Sequence, residues 1–161
     1  MLKTLGALCS IKTGITLRKG ISSPTPQGGV YVIGLPEMET IDLNPSTSNP
    51  QAFTTNTDNY LVRPGDVLIS TRGTTVKASV MPQRESTFIA PSHLCILTPH
   101  EPGALLPRFL AIYLLSHQAE RYFQEARRGT RVQLISKSAL SNLLIPVPTV
   151  TTQEHIITLH R

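Results

Sequence analysis

The sequence predicts an α+β fold, a small, mostly antiparallel twisted sheet with packed helices, closed by the start of a C-terminal helix. Three stretches predict it. Between Leu61 and Pro99, short β-branched runs alternate with closely spaced turns, the pattern of an antiparallel sheet. From Leu106 onward, Leu106, Phe109, Leu110, Tyr113 and Leu114 recur at intervals of three and four, the period of a helix with one buried face. At the end, Thr151 with Glu154 three residues later makes a capping box that opens a helix through Ile156, Ile157 and Leu159.

In chain order, Leu2, Leu5 and Leu8 open the sequence at helical spacing. A glycine-punctuated arm, Gly14 to Gly20, carries Arg18 and Lys19, and the turn-rich Ser22 to Gly29 leads into a strand at Tyr31-Val-Ile33. From Pro36 to Tyr60 prolines, asparagines, threonines and serines dominate, which predicts a long loop with one short strand. Strands follow at Val67 to Ser70, Val76 to Met81, Thr87 to Ala90 and Leu94 to Thr98. One helix then runs from Pro107, a residue tolerated in a first turn, to the cationic end Arg127-Arg128 and the C-cap Gly129. A short helix around Ser136 to Asn142 precedes Leu143 to Pro148, a strand closed by prolines. The last helix is too short to be stable alone, so it packs on its own domain, pairs with another protein, or begins something longer.

Composition narrows the classes of function. At 161 residues the chain suffices for one domain with its own core and is too short for two of ordinary size. A hydrophobic fraction of 40% with 16% charged residues is that of a folded protein. The net charge of +5 favours an anionic partner, whether nucleic acid, membrane surface or acidic protein. Cys9 and Cys95 lie far apart without metal-ligand spacing and read as reduced core residues, so neither a zinc site nor any other metal site is expected. With no signal-peptide pattern and no apolar run long enough for a bilayer, the expected localisation is cytoplasmic, without a membrane partner.

Two basic features stand out. In Leu61-Val-Arg-Pro-Gly-Asp-Val-Leu-Ile-Ser-Thr-Arg-Gly-Thr74, Pro64 and Gly65 suit the centre of a type II turn, Val67 to Ile69 an interior strand, and Arg72 the exposed tip that follows. There the guanidinium can meet a phosphate or a base edge, although an isolated loop arginine is ordinarily just solvated. The second is Arg127-Arg-Gly-Thr-Arg131, the densest basic cluster. One or two cations satisfy a helix C-terminus, and the surplus favours binding to successive phosphates or to guanine. An enzyme has little to stand on: Ser70, His93 and Asp66 lack any hydrolase spacing, the histidines form no metal motif, and no phosphate-binding or dinucleotide loop is present. His93 reads as a hydrogen-bonded structural residue.

The order of segments resembles the target recognition domain of the DNA specificity subunit of type I restriction-modification systems. The resemblance covers nearly the whole chain: Leu5 to Gly14, Tyr31 to Ile33, Leu61 to Thr74, Ile89 to Leu94, Phe109 to Ser116, Gly129-Thr130 ahead of Leu134-Ile-Ser136, Ile145 to Pro148, and Gln153 with Ile156. Each segment is weak and their succession is fairly specific. Thr152 departs from the glutamate usual in that family, and the chain carries one such domain where members typically join two through long helices. A fragment and a compact single-domain relative both fit.

The resemblance implies a recognition domain over 1–150 and the start of a spacer or dimerisation helix over 151–161. It implies duplex DNA against Arg72, Arg127, Arg128 and Arg131, hydroxyl or amide contacts from Thr74, Thr130 and Gln133, and nonspecific positioning by Lys12, Arg18, Lys19 and Lys77. The loops Gly14 to Gly29 and Pro36 to Tyr60 would supply variable readout. Gln153, Ile156, Ile157 and Leu159 would serve the partner or dimer helix. The implied chain is non-catalytic: modification (methyltransferase) and restriction subunits, with S-adenosylmethionine, ATP and magnesium, would do the chemistry, and a second copy or half-subunit would complete the site. A protein-interaction adaptor that docks partners through the terminal helix and binds DNA only nonspecifically is the alternative.

Overall fold

The computed structural model describes residues 1–26, 28–129 and 133–160. In chain order the strands are β1 (Leu2–Thr4), β2 (Cys9–Thr13), β3 (Ser22–Pro24), β4 (Tyr31–Val32), β5 (Gln51–Phe53), β6 (Leu61–Val62), β7 (Val67–Ser70), β8 (Ala78–Val80), β9 (Phe88–Ile89), β10 (Leu94–Pro99) and β11 (Leu144–Pro146). The α-helices are α1 (Leu5–Leu8), α2 (Pro107–Leu114), α3 (His117–Arg127), α4 (Lys137–Ser141) and α5 (Val150–Leu159).

The α+β class holds, with the sheet divided into four pieces. Four strands in the order β2-β10-β7-β8 form the antiparallel centre, fixed in register by Cys95 opposite Thr13 and Ile69, and by Val67 opposite Val80. A second sheet, β4-β9-β6, contains a parallel pair with Tyr31 opposite Phe88, whose rings stack at 5.4 Å. β3 pairs with β5, and β1 with β11, which ties the two ends of the chain together.

The centre is buried on both faces, which is why Val67-Leu-Ile69 reads as a continuous apolar run rather than an alternation. Val67, Ile69, Cys95 and Leu97 face the helices, packing with Phe109, Leu110 and Phe123. Leu68, Leu94 and Ile96 face the other way, onto Ile33, Met38, Leu43 and Phe88. Both cysteines are free and buried, and burial pushes the Cys9 thiol up to about 12.

Four local expectations are corrected. Leu2 belongs to a strand and only Leu5 to Leu8 are helical, because pairing with Leu144 to Pro146 captures the first residues. The long helix is two: the backbone turns at Leu115, and the Ser116 side chain accepts from the Ala119 N–H to start α3. At the end, the cap is Thr149 rather than Thr151, its hydroxyl accepting from the Thr152 N–H. Finally, Gln153 and Ile157 are buried within the domain and unavailable to a partner, whereas Leu159 is 83% exposed. The Gln153 carboxamide accepts from the Leu106 N–H and donates to the carbonyls of Ala104 and Pro148.

Candidate nucleic-acid interface

The site begins at the Pro64-Gly65 turn. Gly65 has φ +89°, and the Asp66 N–H donates to the Arg63 carbonyl at 2.9 Å, as a type II turn requires. Asp66 is buried, its carboxylate accepting from the Arg63 N–H at 2.8 Å and the Thr98 hydroxyl at 2.7 Å. The turn thereby aims β7, and β7 runs through the buried Thr71 to bring Arg72 to the surface.

Burial raises the Asp66 pKa, while the bonds from Arg63 and Thr98 and the charges of Arg63 and Lys12 pull it back only in part. The folded protein therefore holds this proton more tightly than the unfolded chain does. Its contribution to stability is complete below the ordinary carboxylate range and is lost as pH rises through the raised value. Asp66→Asn removes the titration, so urea unfolding from about pH 3 to about pH 7 is expected to show the variant gaining on the parent as pH rises. Parallel stability curves would contradict this.

Beyond β7 the segment Thr71 to Val76 forms a loop closed at its base. The Ser70 N–H donates to the Lys77 carbonyl at 2.9 Å, and the Lys77 N–H to the Ser70 hydroxyl at 2.8 Å. Thr71 donates through its N–H and its hydroxyl to the His93 carbonyl, and its own carbonyl accepts from Ile135. Arg72 makes a bridge to Leu134, and Gly73 supplies the left-handed φ of +99° at the tip. Arg72 and Thr74 are exposed there. Burial first, and the Arg72 charge second, hold His93 below the usual imidazole range, so it adds no fixed charge at neutral pH.

Around this loop the fold gathers residues from two distant parts of the sequence. Thr74, Gln124, Arg127 and Gln133 line a cavity of about 270 Å³. Gln133 has φ +46°, a left-handed backbone that costs a non-glycine residue on the order of 1 kcal/mol. Gln124 was not marked by the sequence, although its spacing of three from Arg127 on a helix places both on one side.

The cations divide. Arg72 is exposed, and so is Arg128, paired with Glu125 at 3.1 Å across one helical turn. Arg127, expected on the DNA-facing surface, is turned inward: 5% exposed, its guanidinium donates to the Thr74 carbonyl at 3.1 Å. The reason is local, since α3 is amphipathic and position 127 falls on the side of Ala119 and Phe123 that meets the core. Lys77 is engaged by Glu39 at 2.7 Å. Arg18 and Lys19 are exposed on the arm before β3, and Lys12 is exposed on β2. Thr130 and Arg131 lie outside the described residues.

A second, polar cleft of about 440 Å³ is lined by the arm and the loop before β5, among them Tyr31, Glu37, Ser46, Asn49 and Gln51. An apolar groove of about 490 Å³ runs between α2 and α5, past Phe109, Tyr113 and Ile156. Among the described residues no cluster of histidine, cysteine and carboxylate side chains is suited to a metal ion. No described helix is long and apolar enough to cross a membrane.

A family model described as "Type I restriction modification DNA specificity domain" matches residues 1–159. Among solved structures, the HsdS subunit from Thermoanaerobacter tengcongensis matches with TM-score 0.65 and 23% identity, over 99% of this chain and 35% of that one. A chain described under "Structural basis underlying complex assembly and conformational transition of the type I R-M system" matches with TM-score 0.67 and 22% identity, over 99% and 36%. The S subunit from M. genitalium matches with TM-score 0.59 and 18% identity, over 99% and 37%. The chain thus spans little more than a third of the length of each. No curated protein sequence matches.

Proposed function

For this chain, which belongs to the type I restriction-modification DNA specificity family, we propose sequence-specific recognition of duplex DNA through the face formed by the Thr71–Val76 loop and the end of α3. The observation that carries the reading is the loop itself. Closed at its base and bonded at its tip, it presents Arg72 and Thr74 to solvent on a rigid stem, as a base-reading element needs.

In this reading Arg72 reaches a base edge or phosphate, and Arg128 a phosphate, because its exposed ion pair with Glu125 is weak enough to exchange. Thr74 and Gln133 border the same cavity and supply hydroxyl and amide contacts. Thr130 and Arg131 would extend the basic stretch, and Arg18, Lys19 and Lys12 would add nonspecific attraction. Lys77 would contribute only by exchanging its partner Glu39 for a phosphate. Residues 1–150 would read DNA and 151–161 would begin the spacer helix, with Leu159 and the exposed part of Ile156 left for a partner.

The chain would then act as the non-catalytic specificity element, directing methyltransferase and restriction subunits that carry S-adenosylmethionine, ATP and magnesium. A second copy or half-subunit would complete a bipartite site.

Selection from a pool of randomised duplexes at low and high salt tests the reading. An enriched motif with salt-sensitive affinity is expected, and no binding even at low salt would refute it. Arg72→Ala is expected to weaken binding to the enriched duplex by roughly tenfold to a hundredfold and to relax selectivity at one position. The adaptor alternative predicts instead that Arg72→Ala has little effect on partner capture while Leu159→Asp abolishes it.

A further inference from the structure

Arg127 is buried, and it is an expensive group to bury, since a guanidinium taken from water must recover its solvation through hydrogen bonds. Its guanidinium donates to the Thr74 carbonyl, 53 residues away in sequence. The base of the Thr71–Val76 loop is already held by the reciprocal bonds between Ser70 and Lys77 and by Thr71 against His93. Those bonds and the Arg72–Leu134 bridge fix the chain up to Arg72, but not how the tip returns once it has passed Gly73, whose φ of +99° is open to glycine and little else.

We propose that Arg127 is the positioning residue of this interface: from the end of α3 it tethers the Thr74 carbonyl, and so fixes the tip that carries Arg72 before any ligand arrives. The inference rests on the DNA reading above and deepens it, by assigning to the buried Arg127 a role in preorganisation rather than in contact. The tether links three segments at one point, because Gln124 and Gln133 line the same cavity as Thr74 and Arg127. Preorganisation raises affinity by removing the ordering cost from the binding step. It acts on the specific complex, which needs Arg72 in one place, more than on nonspecific attraction, which does not.

A positioning role and a direct phosphate contact leave different traces. A phosphate contact removed lowers binding to all duplexes alike and reduces the salt slope by about one. A tether removed lowers binding to the enriched duplex, leaves a scrambled duplex and the salt slope unaffected, and loses its effect once Arg72 is gone.

The test is a double-mutant cycle of Arg127→Met and Arg72→Ala, measured on the enriched duplex and on a scrambled one across a salt series, with hydrogen exchange of the Gly73 to Val76 amides in the free protein. Arg127→Met is expected to weaken the enriched duplex roughly tenfold, to add almost nothing in the Arg72→Ala background, and to speed exchange in the loop while β7 and β10 stay protected. Arg127→Lys, which keeps the charge on a single donor nitrogen without the planar fork, is expected to lie between, and it carries the cycle if the methionine variant does not fold. Additive losses, a lower salt slope, or unchanged loop exchange would each overturn the proposal. If the parent chain binds no duplex at any salt, the DNA reading falls. The exchange experiment then still decides the tether, and unchanged exchange in Arg127→Lys refutes it.

Discussion

Gln153→Leu is expected to lower the unfolding free energy by roughly 3 to 5 kcal/mol. Leucine has nearly the volume of glutamine, so packing is kept and the loss isolates the hydrogen bonds. The carboxamide is fully buried and all its bonds go to backbone: it accepts from Leu106 N–H at 2.9 Å and donates to the carbonyls of Ala104 at 2.8 Å and Pro148 at 2.9 Å. Leu106 is the N-cap of α2, and Gln153 satisfies its backbone N–H, as the third-position glutamate or glutamine of a capping box does elsewhere. Each group left without a partner in the interior costs about 1 to 3 kcal/mol, and relaxation toward water recovers part of the sum. Urea denaturation with the m-value held in view measures it. A loss below about 1 kcal/mol would show that water reaches these groups as readily as the side chain does. Gln153→Glu is expected to be about as damaging, because a carboxylate can accept from Leu106 but cannot donate to two carbonyls. Since the same amide joins α5 to the α2 entrance, both variants should also loosen the terminal helix, visible as faster exchange along Val150 to Leu159.

Gly14→Ala is expected to cost roughly 3 kcal/mol or more, beyond the usual range for an overpacked site. A Cβ at this position would stand 2.0 Å from the Pro91 carbonyl oxygen and 2.4 Å from that of Ala90. Both neighbours are backbone, so no side chain can swing aside. The glycine is required by space, where the chain leaves β2 and crosses to the second sheet: Gly14 N–H donates to Leu94, Ile15 N–H to Ala90, and Ile15 bridges Pro91. Separating these strands unseats the arm that carries Arg18 and Lys19, so DNA attraction should fall along with stability. Gly103→Ala is the matched control, since a Cβ there meets nothing within 4 Å, and it is expected to change stability by no more than about 0.5 kcal/mol. Equal effects in thermal or urea unfolding would refute the crowding argument.

Neither the crowding of Gly14 nor the burial of Gln153 is written in the residues beside it. Gly14 opens a glycine-punctuated arm, and nothing local tells a glycine that bends from one that is crowded. The resemblance places Gln153 on a partner-facing helix, and nothing in its neighbours contradicts it, since a polar side chain on a short terminal helix ordinarily meets solvent. Ser116 is a milder case: the apolar period that begins at Leu106 predicts helix through this region, and a cap in mid-run becomes visible only when its hydroxyl is seen on the Ala119 N–H. Arg127 and Arg128 are neighbours of identical type at a helix end, yet one is inside and the other outside.

Some features of this fold are decided among neighbouring residues. The Pro64-Gly65 turn, the four runs from Val67 to Thr98 that become strands, the period at the start of α2 and the buried thiols follow from torsional preference and patterning within a few residues, and the order of these pieces suffices to mark the family. The tertiary structure alone decided which polar groups are sealed in and what they hold. Gln153 finds Leu106 across 47 residues and Arg127 finds Thr74 across 53. Burying a polar group is favourable only when its partners arrive with it, and that depends on how distant segments pack rather than on anything adjacent in the chain.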